Sequence, residues 1–447
     1  MKFSAAIAAL GLTSAAAGCL LDSEREAERL YVRTGERPGR TVSRVKRAST
    51  AFPIGTGDRF SNGCVAPVGL GTKDRDVQSI FNVKEVGTAL KGLKKAYPDD
   101  IKLFKPPFKT YEGRDFPGAI IGENPRVFIM SGIHARERGG PDSVIYFIAD
   151  LLAAKKAGTG VTYGNKSYTL ADVEKALSAG VIVIPLTNPD GVAYDQSTSS
   201  CWRKNRNPES SGGDAEKIGV DLNRNYDFVW DYKTAFNLTA ADEPASDDPA
   251  SEIFYGTAPE SEPETKAVVW TLDQYQNITW FMDLHSFTGD ILYGWGDDDV
   301  TTNNTDMYFT NPKYDGLRGA VGDDKYREYL KPTDFQIEKD GTSQMIKSMT
   351  EVGGVEYGAY EAVGLYPTSG ASNDYAMGRY YGKLACGASR MFGYTLEFGV
   401  ESTADPTCPF YPDNSEHHRN MKQIGAGFME MLIIAAGEAG DPLYLEC

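Results

Sequence analysis

Histidine is scarce in this chain, with four in 447 residues. Any site built on imidazole must use a large share of them. Cations are also in deficit, 46 Lys and Arg against 62 Asp and Glu, for a net charge of −16. An acidic chain repels phosphate backbones, which argues against a nucleic-acid partner. The six cysteines contain no C-x-x-C pair, which argues against a cysteine zinc site. Beyond the first 18 residues, no stretch approaches the ~20 apolar residues that span a bilayer, so no membrane partner is expected. What is present is ordinary for a globular protein: 41% hydrophobic and 24% charged residues. The length accommodates one α/β domain with additions. Plentiful glycine (47) and tyrosine (25) suit a loop-rich fold with an open site.

The first residues differ from the rest. Residues 1–18 carry Lys2, an apolar stretch and small closing residues, the pattern of a secretory signal peptide. Residues 19–47 hold eight cations against five carboxylates and end in Arg44-Val45-Lys46-Arg47, a dibasic processing site. They read as a short propeptide, with Ala48 as the mature start and 48–447 as one catalytic domain. Sequons at Asn165, Asn237, Asn277 and Asn303 fit a secreted, extracellular glycoprotein. Cysteines 64, 201, 386, 408 and 447 remain in the mature part, an odd number whose pairing the sequence does not reveal.

Hydrophobic spacing predicts helices over 83–97, 143–154, 264–276 and 421–436. Short apolar runs predict strands over 126–131, 181–185, 279–284 and 392–398. Asn188-Pro189-Asp190-Gly191 reads as a turn. Alternating strands and helices imply an α/β fold, a central mixed, partly parallel sheet flanked by helices. Stretches 236–262 and 297–341 read as exposed insertions. Sites in such sheets form at the carboxyl ends of strands.

Two of the four histidines follow predicted strands. His134 lies in Gly132-Ile133-His134-Ala135-Arg136-Glu137, where histidine and glutamate three apart converge on one side of a helical turn. That pattern alone is common. His285 follows the 279–284 strand, and two histidines with one glutamate make a catalytic zinc set with a fourth position open. His417 and His418 sit in a polar run and read as solvated surface. Glu397 lies inside an apolar strand, where a carboxylate must be paired or functional. Segments Cys201–Arg206 and Gly219–Asp227 concentrate Arg203, Lys204, Arg206, Asn223, Arg224 and Asn225 in an acidic protein. Guanidinium forks there point to an anionic substrate group.

In this order His134-x-x-Glu137, Trp202-Arg203, Asn223-Arg224, His285-Ser286, Tyr366 and Glu397 resemble the secreted zinc metallocarboxypeptidases of the carboxypeptidase A/B family, over about residues 75–435. The resemblance implies a carboxypeptidase-like zinc exopeptidase fold and one Zn2+ per chain, held by His134, Glu137 and His285. It implies Glu397 as general base and proton donor, and Arg203 as oxyanion stabiliser. Asn223 and Arg224 would grip the C-terminal carboxylate of a peptide or protein. Tyr366 would close over it, Arg136 would serve an outer subsite, and Asn373 would form the pocket base. A neutral Asn373 implies release of neutral or hydrophobic residues. A monomer is expected. Three departures stand out: Phe287 where tyrosine is common, Ser200 where an outer arginine is usual, and a propeptide too short for a globular prodomain. Alternative readings are a zinc deacylase of amino-acid conjugates and a catalytically inactive secreted binding protein with the same fold.

Overall fold

The computed structural model describes residues 49–240, 243–383, 387–437 and 443–444. The expected signal peptide and propeptide, with Cys386 and Cys447, lie outside the described residues.

The main sheet has eight strands in the order β1-β2-β6-β3-β7-β12-β8-β11. These are β1 (Ile101–Phe104), β2 (Gly118–Ile121), β3 (Val127–Ser131), β6 (Val181–Ile184), β7 (Trp280–His285), β8 (Asp290–Tyr293), β11 (Gly358–Glu361) and β12 (Phe392–Glu397). Two small ribbons complete the set: β4 (Val161–Tyr163) with β5 (Lys166–Tyr168), and β9 (Val300–Thr301) with β10 (Glu328–Tyr329). Strands β6, β3, β7 and β12 run parallel to one another, as do β8 and β11, while the β1–β2, β2–β6 and β12–β8 pairs are antiparallel. The sheet is therefore mixed and mostly parallel. Every residue of β3, β6, β7 and β12 is buried, as strands covered on both faces require.

Side-chain alternation divides the core in two. Val127, Ile129, Met282, Leu284, Tyr394 and Leu396 point to one face. There they pack under helices α1 (Val83–Ala96), α2 (Gly140–Ala157), α3 (Leu170–Ala179), α6 (Pro332–Val352) and α8 (Asn414–Gly437). Phe128, Met130 and Phe281 point to the other face, towards α5 (Pro263–Gln274) and α7 (Ser372–Tyr381). Local signals start several helices. Asn82 and Glu85 form a capping box on α1, and Thr169 and Asp172 form one on α3.

The expected strands and helices occur within a few residues of their predicted bounds, and four readings need correction. Residues 188–191 open α4 (Pro189–Thr198), with Asn188 as its cap, because proline is well tolerated in a helix's first turn. The closing helix begins seven residues earlier than expected, at Asn414. His417, read as solvated, is 1% exposed and packs on Phe52, while His418 is partly buried and accepts the Val77 N–H at 2.8 Å. Its polar neighbours misled, since they belong to the outward face of a helix. The stretches read as exposed insertions are also integral. Phe254 and Glu262 are buried in the first, and Asp297, Arg318 and Glu328 in the second, whose residues 332–341 begin helix α6. Their acidic composition hides buried groups such as Glu262, which accepts from Asn205 and Asn207, and Glu328, which accepts the Phe309 N–H.

Cys201 and Cys408 form a disulfide across a sequence separation of 207, and Cys64 is exposed with a free thiol. The bridge ties the segment bearing Arg203 to the 402–412 loop. Replacing both cysteines by serine is expected to lower unfolding free energy by about 2–5 kcal/mol in denaturant titrations. Unchanged stability would contradict a structural role for the bridge.

Candidate active site

The carboxyl ends of three adjacent parallel strands lie level. Ser131 of β3 pairs with Leu284 of β7, and His285 pairs with Glu397 of β12. Gly132 then turns the chain with φ of 65°, a left-handed conformation that suits glycine. This brings His134 and Glu137 over the end of β7. Ala135 N–H bonds the Arg203 carbonyl at 3.0 Å, so the turn is stitched to the cationic segment. Asn188 adds a second stitch, donating to the Ile133 and Lys204 carbonyls.

His134 Nδ1 lies 2.7 Å from Glu137 Oε1 and 3.1 Å from His285 Nδ1, and His285 Nδ1 lies 3.2 Å from Glu137 Oε2. All three side chains are buried. Two ring nitrogens facing each other beside a carboxylate cannot all be satisfied by sharing protons. Their ligand atoms lie within 4.8 Å of one another, a grouping that could hold a metal ion. The outer ring nitrogens complete the pattern. His134 Nε2 meets Asp221 Oδ1 at 3.0 Å, and His285 Nε2 lies 2.9 Å from Asp283 Oδ2. Carboxylates behind imidazoles orient them and raise their basicity as metal ligands. Burial alone would lower the His285 pKa, but Asp283 and Glu137 outweigh it and raise it well above the ordinary value.

Asp221 joins this centre to the cations. Its Oδ2 accepts from Arg203 Nε at 3.1 Å and a terminal nitrogen at 2.9 Å, and Arg224 stands 4.0 Å away. Burial pushes the Asp221 carboxyl up, yet Arg203 and His134 hold it well below its usual range. Arg224 also donates to the carbonyls of Pro244 and Asn223, and its guanidinium carbon lies 5.7 Å from the Tyr366 ring. Asn223 Oδ1 accepts the Ser372 N–H at 2.8 Å. Next to Ser372, the buried Asn373 amide donates to Asp374, whose carboxyl is pushed well up by burial and by Asp297. Glu397 is 9% exposed at the end of β12. Arg136 is fully buried, 3.1 Å from Glu252 and stacked 4.4 Å from the Phe410 ring, which also packs on Phe287. Ser200 is exposed and accepts only a local bond from Thr198.

The zinc carboxypeptidase sequence profile matches residues 87–423. The chain belongs to the zinc carboxypeptidase family. Carboxypeptidase B of Astacus astacus is 27% identical over 314 residues, covering 68% of this chain and 83% of that protein. Carboxypeptidase A4 of Mus musculus is 33% identical over 176 residues, 39% of this chain but only 36% of that protein. The crystal structure of carboxypeptidase A from Helicoverpa armigera shares the fold, with a TM-score of 0.58 at 22% identity, over 82% of this chain and 78% of that one. Thrombin activatable fibrinolysis inhibitor gives a TM-score of 0.59 at 18% identity, over 81% and 75% of the two chains.

Sequence reasoning missed the outer carboxylates. Asp221 sits in the Gly219–Asp227 string and Asp283 interrupts an apolar strand, a signal of the same kind that singled out Glu397. It also missed the anchor of the Arg203 segment. Asn205 donates to Glu262 and Glu264 at 2.8 and 3.1 Å, while its carbonyl-type oxygen accepts the Val220 N–H. Burial, then the neighbouring Glu262, raises the Glu264 carboxyl from 4.5 to about 8. A carboxyl neutral in the fold but ionised in the unfolded chain makes stability fall as pH rises from about 4.5 to about 8. Glu264→Gln is expected to flatten the decline of Tm across that window. An unchanged slope would contradict the assignment.

Proposed function

We propose that this chain is a secreted, zinc-dependent carboxypeptidase that hydrolyses the last peptide bond of peptides and proteins. The observation that carries the reading is the single buried carboxylate of Asp221, which holds His134 on one side and Arg203 on the other, with Arg224 4.0 Å away. A metal-competent centre and a carboxylate-binding cluster are thereby parts of one structure.

His134, Glu137 and His285 would hold one Zn2+, which supplies Lewis acidity and a water acidified towards pKa ~7 when bound. Glu397, level with His285 across the strand pair, takes the proton of the attacking water and returns it to the leaving amine. Arg203 donates N–H groups to the oxyanion that develops at the scissile carbonyl. Its guanidinium is preorganised by Asp221, so little reorientation is needed as charge appears. Asn223 and Arg224 bind the terminal carboxylate, which explains exopeptidase action, because only a chain end offers that group. Tyr366 is partly exposed beside Arg224 and closes over the bound terminus. Arg136, walled by Glu252 and Phe410, shapes an outer subsite.

The base of the pocket supports a preference for neutral or hydrophobic residues. Asn373 carries no charge, and its neighbour Asp374 is held towards its neutral form by burial. A cationic side chain meets a neutral amide rather than a carboxylate at Asn373. The leader, the dibasic site, the sequons and the Cys201–Cys408 bridge support secretion, with Ala48 opening the mature chain. No helix among the described residues is long and apolar enough to cross a membrane.

The test uses protein collected from culture medium, its N-terminus sequenced, on a panel of blocked dipeptides. Release of neutral and apolar C-terminal residues is expected, abolished by a chelator and reduced at least a hundredfold, on the order of a general-base contribution, by Glu397→Gln. A folded, zinc-loaded protein that releases no residue would refute the proposal. Release of lysine or arginine first would refute the specificity.

A further inference from the structure

Ser372 touches both halves of the site. It is 1% exposed and opens α7. Its backbone N–H donates to Asn223 Oδ1 at 2.8 Å, and its hydroxyl donates to Asp283 Oδ2 at 2.6 Å. The same Asp283 oxygen lies 2.9 Å from His285 Nε2. Strand geometry explains the meeting. Asp283 and His285 are two apart on β7 and so share a face, the one that α7 covers. Asp283 is fully buried, and its Oδ1 finds no hydrogen-bond partner among the described residues. A buried carboxylate with so few donors depends strongly on each one. Its short bond to Ser372 is therefore a principal constraint on which way Oδ2 points.

We propose that Ser372 is a positioning residue that fixes His285 through Asp283 while fixing Asn223 through its own backbone. One residue then holds the ligand side of the centre in register with the group that receives the substrate's terminal carboxylate. The inference rests on the carboxypeptidase reading and deepens it. The hydroxyl acts on His285 alone, because the bond to Asn223 comes from the main chain. Removing the hydroxyl therefore separates the two effects.

Zinc affinity, measured by chelator competition, is compared for the wild-type chain, Ser372→Ala and Ser372→Thr, together with kcat, KM and Tm. Ser372→Ala is expected to weaken zinc binding about tenfold to a hundredfold, the range for loss of an outer partner of a metal ligand. Its kcat falls while KM changes little, since the Asn223 contact survives. Ser372→Thr keeps the hydroxyl and restores zinc affinity. Wild-type zinc affinity in Ser372→Ala overturns the proposal, whatever happens to Tm. If wild-type protein binds zinc and turns over substrate while Ser372→Ala is unaltered, only this role falls. If wild-type protein does neither, the carboxypeptidase reading falls with it.

Discussion

Asp221 carries a negative charge into the interior and divides it between an imidazole and a guanidinium. An isolated carboxylate at that depth would be very costly, so its three close partners must stay in place. One oxygen takes His134 and the Asn223 N–H, and the other takes Arg203. His134 and Arg203 come from distant stretches of chain, and the fold must bring both to Asp221, whose own turn supplies the Asn223 N–H. The level ends of β3, β7 and β12 supply the floor on which this happens.

Around that carboxylate the charges are arranged in layers. The inner layer is two imidazoles and the Glu137 carboxylate, with their ligand atoms within 4.8 Å of one another. Behind it stand Asp221 and Asp283, each against an outer ring nitrogen. Beyond Asp221 lie Arg203 and Arg224, two buried guanidinium groups in a protein with a net charge of −16. The segments bearing these groups are stitched by backbone bonds, by Asn188 and Asn205, and by the Cys201–Cys408 bridge. Rigidity of this kind is what electrostatic stabilisation of a developing oxyanion requires.

Much of this was legible in the residues. The central strands are continuous apolar runs, so their positions and the α/β class followed from pattern alone. His134 and His285 stood out because histidine is scarce and both follow such runs. The edge elements were harder to read. β1, β2 and β11 are four residues each; β1 and β11 mix polar with apolar side chains, and β2 is only Gly-Ala-Ile-Ile. The 297–341 stretch was read as exposed because acidic residues usually are. Asp297, Arg318 and Glu328 are instead buried together, where tertiary contacts override composition. His417 was misplaced for the same reason. The roles of Asp221, Asp283 and Ser372 depend on pairings between distant segments, which no local spacing encodes.

The central claim is that His134, Glu137 and His285 form one zinc centre joined to the cationic cluster through Asp221. Anomalous diffraction at the zinc edge, on crystals of the protein purified without added metal, tests it most directly. The account predicts one strong peak per chain, lying between His134 Nδ1, the Glu137 carboxylate and His285 Nδ1. A peak elsewhere, or crystals of folded protein with none at these residues after zinc is supplied, would contradict it.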